Sequence, residues 1–144
     1  MLDTNDWVNV LAITPEEQIV LVRQFRYGSR ENSLEPPGGV VEKGESPLVA
    51  GLRELREETG YEGENPELIG VVRPNSAILS NRCHLVLVRN AQKTSQLEFD
   101  EHEELTTELY PLNQLKDLIR KGDISHSIGL NAILFLLLRA SDSE

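Results

Sequence analysis

An α/β fold, with a mixed sheet covered by helices on both faces, is predicted by the order in which strand and helix patterns alternate. Two runs rich in branched residues open the chain, WVNVLAI (Trp7 to Ile13) and IVLVRQF (Ile19 to Phe25). A capped amphipathic segment, Pro47 to Thr59, stands between them and later strand-like runs, and an apolar stretch of helical length closes the chain. At 144 residues the sequence has room for one ordinary domain with a real core, and residues 1–144 are read as a single domain.

The opening runs are joined by TPEEQ, a turn containing proline, and together predict a hairpin. Arg26 to Val41, RYGSRENSLEPPGGVV, reads as loop because proline, glycine and serine interrupt it repeatedly. Ser46 is placed to cap the following helix, Pro47 suits its first turn and Gly60 its end. Leu68 to Val72, Leu85 to Val88 and Leu105 to Tyr110 read as strands. Leu112, Leu115, Leu118 and Ile119 recur at helical spacing until Gly122. The last helix, about Ser127 to Arg139, is apolar on most sides and predicts extensive burial.

Composition narrows the possible partners. Hydrophobic residues make up 39% and charged residues 26%, as in soluble globular chains. Fourteen basic residues against 24 acidic ones give a formal charge of −10, which repels nucleic acid and anionic membranes. The longest apolar run, Ile133 to Leu138, is too short to span a bilayer. One cysteine, Cys83, excludes an internal disulfide and reads as a small buried side chain. With the polar start MLDTNDW, these features predict a cytoplasmic protein with no membrane or nucleic-acid partner.

On the helix at Pro47 to Thr59, Leu48, Leu52, Leu55 and the Thr59 methyl form one stripe directed at the core. Glu54, Glu57 and Glu58 share another side, with Ala50 and Gly51 beside them. Glu54 and Glu58 form an i,i+4 like-charge pair near a helix end that favours cations, a pairing that costs about 0.2–0.5 kcal/mol. A solvated charged face, partly neutralised by Arg53 and Arg56, is one reading of these acids. The other is a site for a hard divalent cation such as Mg²⁺, which takes carboxylate and carbonyl oxygens together with substrate phosphates. Glycines just before the helix let backbone approach the same face. GVVEKGES approximates a phosphate-binding G-x-x-x-x-G-K-[ST] loop, but Glu45 stands where lysine is needed and reverses the charge.

Gly39, Glu45, Arg53, Glu54, Leu55, Glu57, Glu58, Gly60 and Tyr61 together resemble the Nudix box, G-x5-E-x7-R-E-U-x-E-E-x-G-U, with U a bulky apolar residue. RQFRYG before the box and PNSAILSNRCHLVLV after it resemble the ADP-ribose pyrophosphatase branch of that family. The resemblance implies a Nudix fold, an α/β/α sandwich with a mixed β-sheet. It also implies metal-dependent hydrolysis of a nucleoside diphosphate linked to another moiety, with ADP-ribose or a nucleotide sugar first. By the same resemblance Glu54, Glu57 and Glu58 bind Mg²⁺ or Mn²⁺, joined by the carbonyl of Gly39, and Arg53 orients them. The resemblance further implies that Glu45 pins the loop, that Arg26 and Glu35 contact substrate, and that the general base comes from EFDEHEEL, where Glu101, Glu103 and Glu104 are candidates and Glu103 is the choice.

Two features depart from the branch. LEPPGG has two prolines where one is usual, and the chain begins almost at its first core strand, where related pyrophosphatases carry a subdomain that helps build a swapped dimer. A homodimer remains a compatible assembly. The alternatives are a nucleoside triphosphate pyrophosphohydrolase and a nucleotide sensor without catalysis. The complete set of box carboxylates argues against the sensor.

Overall fold

The computed structural model describes residues 1–95 and 105–142. Its strands are β1 (Trp7–Ala12), β2 (Gln18–Arg26), β3 (Glu31–Glu35), β4 (Gly38–Val40), β5 (Tyr61–Val72), β6 (Cys83–Lys93) and β7 (Thr106–Pro111). Helix α1 is Pro47–Thr59, α2 is Leu115–Arg120 after a 3₁₀ turn at Leu112–Gln114, and α3 is Ser127–Asp142. Two sheets form, in the orders β4-β1-β6-β5 and β3-β2-β7. The β1–β6 pair is parallel and every other pair antiparallel, so the fold is mixed α/β as expected.

Alternation along the strands explains the layering. Val8, Val10 and Ala12, with Val20, Val86 and Val88, pack against Ala50 and Leu55 of α1. The intervening residues Leu11, Ile19, Leu21, Leu85 and Leu87 pack with Leu115, Ala132 and Ile133 of α2 and α3. Buried strands that send successive side chains to opposite helices make a sandwich. Gly51 belongs to this packing rather than to the acidic face. A Cβ there would lie 3.3 Å from Val86 Cγ1 and 3.5 Å from Val10 Cγ2.

The opening runs do not form the expected hairpin. Only Ile13 and Ile19 bridge them, after which β1 joins β6 and β2 joins β3 and β7. Both strands are buried on both faces, so each can serve as the centre of a different sheet. The expected loop at Arg26 to Val41 contains β3 and β4, whose pairing comes from β2 and β1 rather than from local propensity. Helix α3 is less buried than expected, with Leu134 and Leu138 about half exposed. No helix among the described residues is long and apolar enough to cross a membrane.

Candidate active site

The acidic helix is fixed at both ends by the residues that its sequence nominates. Ser46 Oγ accepts the Val49 N–H at 3.2 Å, and Pro47 occupies the first turn. Gly60 adopts φ 74° and donates its N–H to the Arg56 carbonyl at 2.9 Å. Just upstream, β4 runs antiparallel to β1 with Gly39 opposite Val8. A Cβ on Gly39 would overlap the Glu54 carboxylate, so glycine is what lets this backbone lie against the acidic face.

Arg53 is the hub of that face. Its Nε and Nη2 donate to Glu45 at 2.8 and 3.0 Å, and Nη2 also reaches the Val40 carbonyl at 2.9 Å. Its Nη1 donates to Glu54 at 2.9 Å and to Glu57 at 3.1 Å. Glu45 in turn accepts the Glu42 N–H at 3.1 Å, which ties the loop to the helix through one planar fork. Arg53 holds the Glu45 carboxyl below its usual range, while Glu45, the nearest acceptor, raises the guanidinium pKa further.

The carboxylates differ sharply in environment. Glu57 is half exposed. Glu54 is largely covered, and burial lifts its pKa against the opposing pull of Arg53. Among the described residues, Glu58 accepts no side-chain hydrogen bond, and Arg26 acts on it through charge alone. Burial pushes it up to about 8, opposed by a hydrogen bond from the Gly38 N–H at 3.2 Å and reinforced by the nearby Glu54 charge.

Among the described residues, no three acidic, histidine or cysteine side chains are arranged to hold a metal ion as they stand. Arg53 engages Glu54 and Glu57 instead. The donor types nevertheless fit a hard cation. Glu54 and Glu58 are covered carboxylates whose charge is disfavoured, and Gly39 gives the backbone access to Glu54.

Glu58 and Gly39 open onto a cavity of about 290 Å³ that also reaches Trp7, Asn9, Arg26 and His126. Arg26 makes two parallel bonds of 2.8 Å to Glu35, which is 3% exposed. Burial alone would raise the Glu35 carboxyl, but Arg26, helped by His126 and Ser33, outweighs it and leaves the pKa lowered. Arg26 and Glu35 therefore adjoin the acidic helix, with Glu35 occupied in holding Arg26. Glu103 lies outside the described residues.

His84 is hydrogen-bonded within the fold, with Nε2 3.0 Å from Asp6 Oδ2. Cys83 is buried, and that burial pushes its thiol up to about 12. Asn9 and His126, neither of them among the site residues expected from the sequence, both line the cavity. The available signal was a single polar residue amid the apolar run VNVLA.

The fold and this box define a Nudix-type hydrolase, and comparison with known proteins agrees. The NUDIX domain family matches residues 4–128, so the chain belongs to the Nudix family. It is 34% identical over 133 residues to the methanol dehydrogenase activator of Bacillus methanolicus, covering 92% of this chain and 72% of that protein. It is 31% identical, with the same coverage, to the ADP-ribose pyrophosphatase of Bacillus subtilis (strain 168). A crystal structure of an ADP compounds hydrolase superposes with a TM-score of 0.88 at 24% identity, covering 99% of this chain and 77% of that one.

Proposed function

We propose that this chain hydrolyses the diphosphate bond of a nucleoside diphosphate joined to a second moiety, with ADP-ribose or a nucleotide sugar as the first candidates. The observation that carries the reading is the opening of Glu58, a largely covered carboxyl with a raised pKa, onto the same cavity as Arg26. A diphosphate placed there meets a guanidinium already oriented by Glu35. The similar ADP-ribose pyrophosphatase supports this choice of substrate.

Glu54, Glu57 and Glu58, with the Gly39 carbonyl, would hold Mg²⁺ or Mn²⁺ in a cytoplasmic enzyme. When bound, such an ion neutralises phosphate charge and lowers the pKa of water. Arg53 positions the carboxylates, Arg26 binds and orients phosphate, and Glu103 accepts the proton from attacking water. Product analysis tests the reading. AMP plus a sugar phosphate is expected from ADP-ribose, whereas pyrophosphate released from a nucleoside triphosphate as the preferred reaction would overturn it.

A further inference from the structure

We infer that Asp6 is a positioning residue for the proposed metal site. Arg82 and His84 fix its carboxylate, so that its backbone carbonyl holds the end of β4 and keeps Gly39 against Glu54. The inference rests on the proposed function for the metal and goes beyond it in naming what supports the site from outside the box. Strand β4 has three residues, two of them glycine, and lies at the edge of its sheet. Such a segment has little extended order of its own. Besides its register with β1, bonds at both ends hold it. The Val10 N–H donates to the Pro37 carbonyl and the Val41 N–H to the Asp6 carbonyl, both at 2.8 Å.

Asp6 stands just before β1, and its carboxylate anchors it there. Oδ1 accepts the Arg82 N–H at 3.0 Å, and Oδ2 lies 3.0 Å from His84 Nε2. The His84 ring is largely covered, and its Nδ1 is buried without a hydrogen-bond partner among the described residues. Nε2 is therefore the nitrogen that carries the proton, because the other tautomer would bury an unpaired N–H. His84, Val8 and Gly39 stand abreast on β6, β1 and β4, so the Asp6–His84 pair ties β6 to β4 across β1. Residues before Asp6 have their own ties, from Leu2 to Ile78 and Ser80 and from Asn5 to Asn81. The Asp6 carboxylate adds an anchor at the residue that receives β4. The run PNSAILSNRCHLVLV, which supplies Arg82 and His84, thereby acquires a part in the site.

Free Mn²⁺, counted by its electron paramagnetic resonance signal, gives the affinity of the protein for the metal alone. Asp6→Ala and His84→Phe should each weaken it about tenfold, the scale on which groups supporting metal ligands act. His84→Gln, whose amide can donate from the place of Nε2, should keep most of the wild-type affinity. Ser80→Ala, which removes the hydroxyl bonds to Leu2 and Asp3 in the same segment, should leave it unchanged. Amide exchange read by NMR should show Val41 exchanging about tenfold faster in Asp6→Ala and His84→Phe, while Val10 keeps its protection. Should Asp6→Ala fail to fold, the two His84 variants carry the same comparison. Wild-type affinity in His84→Phe, or an equal loss in His84→Gln, would overturn the positioning role and spare the hydrolase. A wild type that binds no Mn²⁺ would overturn the metal site and the positioning role with it.

Discussion

Replacing Glu58 by glutamine should flatten the pH dependence of stability in the metal-free protein while abolishing most turnover. The carboxyl is raised from 4.5 to about 8 by burial. The folded state therefore keeps a proton that the unfolded chain releases above its ordinary pKa. The associated stability is fully present below the unfolded value and is lost as pH climbs towards the folded one. Between about pH 5.5 and about pH 7.5, this one group should remove about 2–3 kcal/mol. In a domain of this size the loss corresponds to roughly 5–10 °C in melting temperature.

Thermal denaturation in EDTA, run on wild type and Glu58→Gln at both pH values, isolates the effect because the other titrating groups are common to both. The variant should lose less stability on going to the higher pH. Adding Mg²⁺ at the higher pH should raise the wild-type melting temperature more than the variant's, through binding to the folded state. Equal pH slopes in the two proteins would refute the description of Glu58 as a buried, uncompensated carboxyl.

Arg53→Lys should cut turnover by about a hundredfold, because an ammonium cannot reproduce the fork that joins Glu45, Val40, Glu54 and Glu57; steady-state kinetics beside a melting curve checks it. Gly39→Ala should lower turnover at least about tenfold, with melting shifted by only a few degrees, since the new methyl meets the end of a flexible glutamate. A large melting shift would count against that. Glu103→Gln should reduce kcat by about 10²- to 10⁴-fold, while Glu101→Gln and Glu104→Gln stay near wild type; comparable losses in all three would remove Glu103 as the base.

Helix α1 was legible because its signals are local. Ser46, Pro47 and Gly60 act within a turn of where they stand, and the observed boundaries follow them. Strand pairing was less legible because β1 finds its parallel partner in β6, with Trp7 opposite Cys83, far along the chain. The turn between β1 and β2 brings Ile13 beside Ile19, but burial on both faces then sends the strands into separate sheets. For β3, the segment Glu31–Glu35 (ENSLE) has little strand propensity of its own, and β2 imposes the extended form. The site divides in the same way. The box motif carried Gly39, Arg53 and the glutamates, whereas Asn9 and His126 meet only after β1 and the start of α3 have been folded towards one cavity.

The uneven treatment of charge on α1 decides between a solvated ridge and a working site. In a solvated ridge the acids would share similar exposure and no single one would need a counterion. Here one guanidinium serves Glu45, Glu54 and Glu57, whose side chains are 12%, 14% and 54% exposed. Glu58, one turn beyond Glu54, accepts a single backbone N–H among the described residues, and its carboxyl is pushed up to about 8. Arg26, hydrogen-bonded to Glu35, lowers that pKa without offsetting burial. A stability-driven sequence would place leucine or glutamine at that position. Retaining an acid there is intelligible when a cation arrives together with the diphosphate, because the charge that destabilises the empty site then strengthens the occupied one.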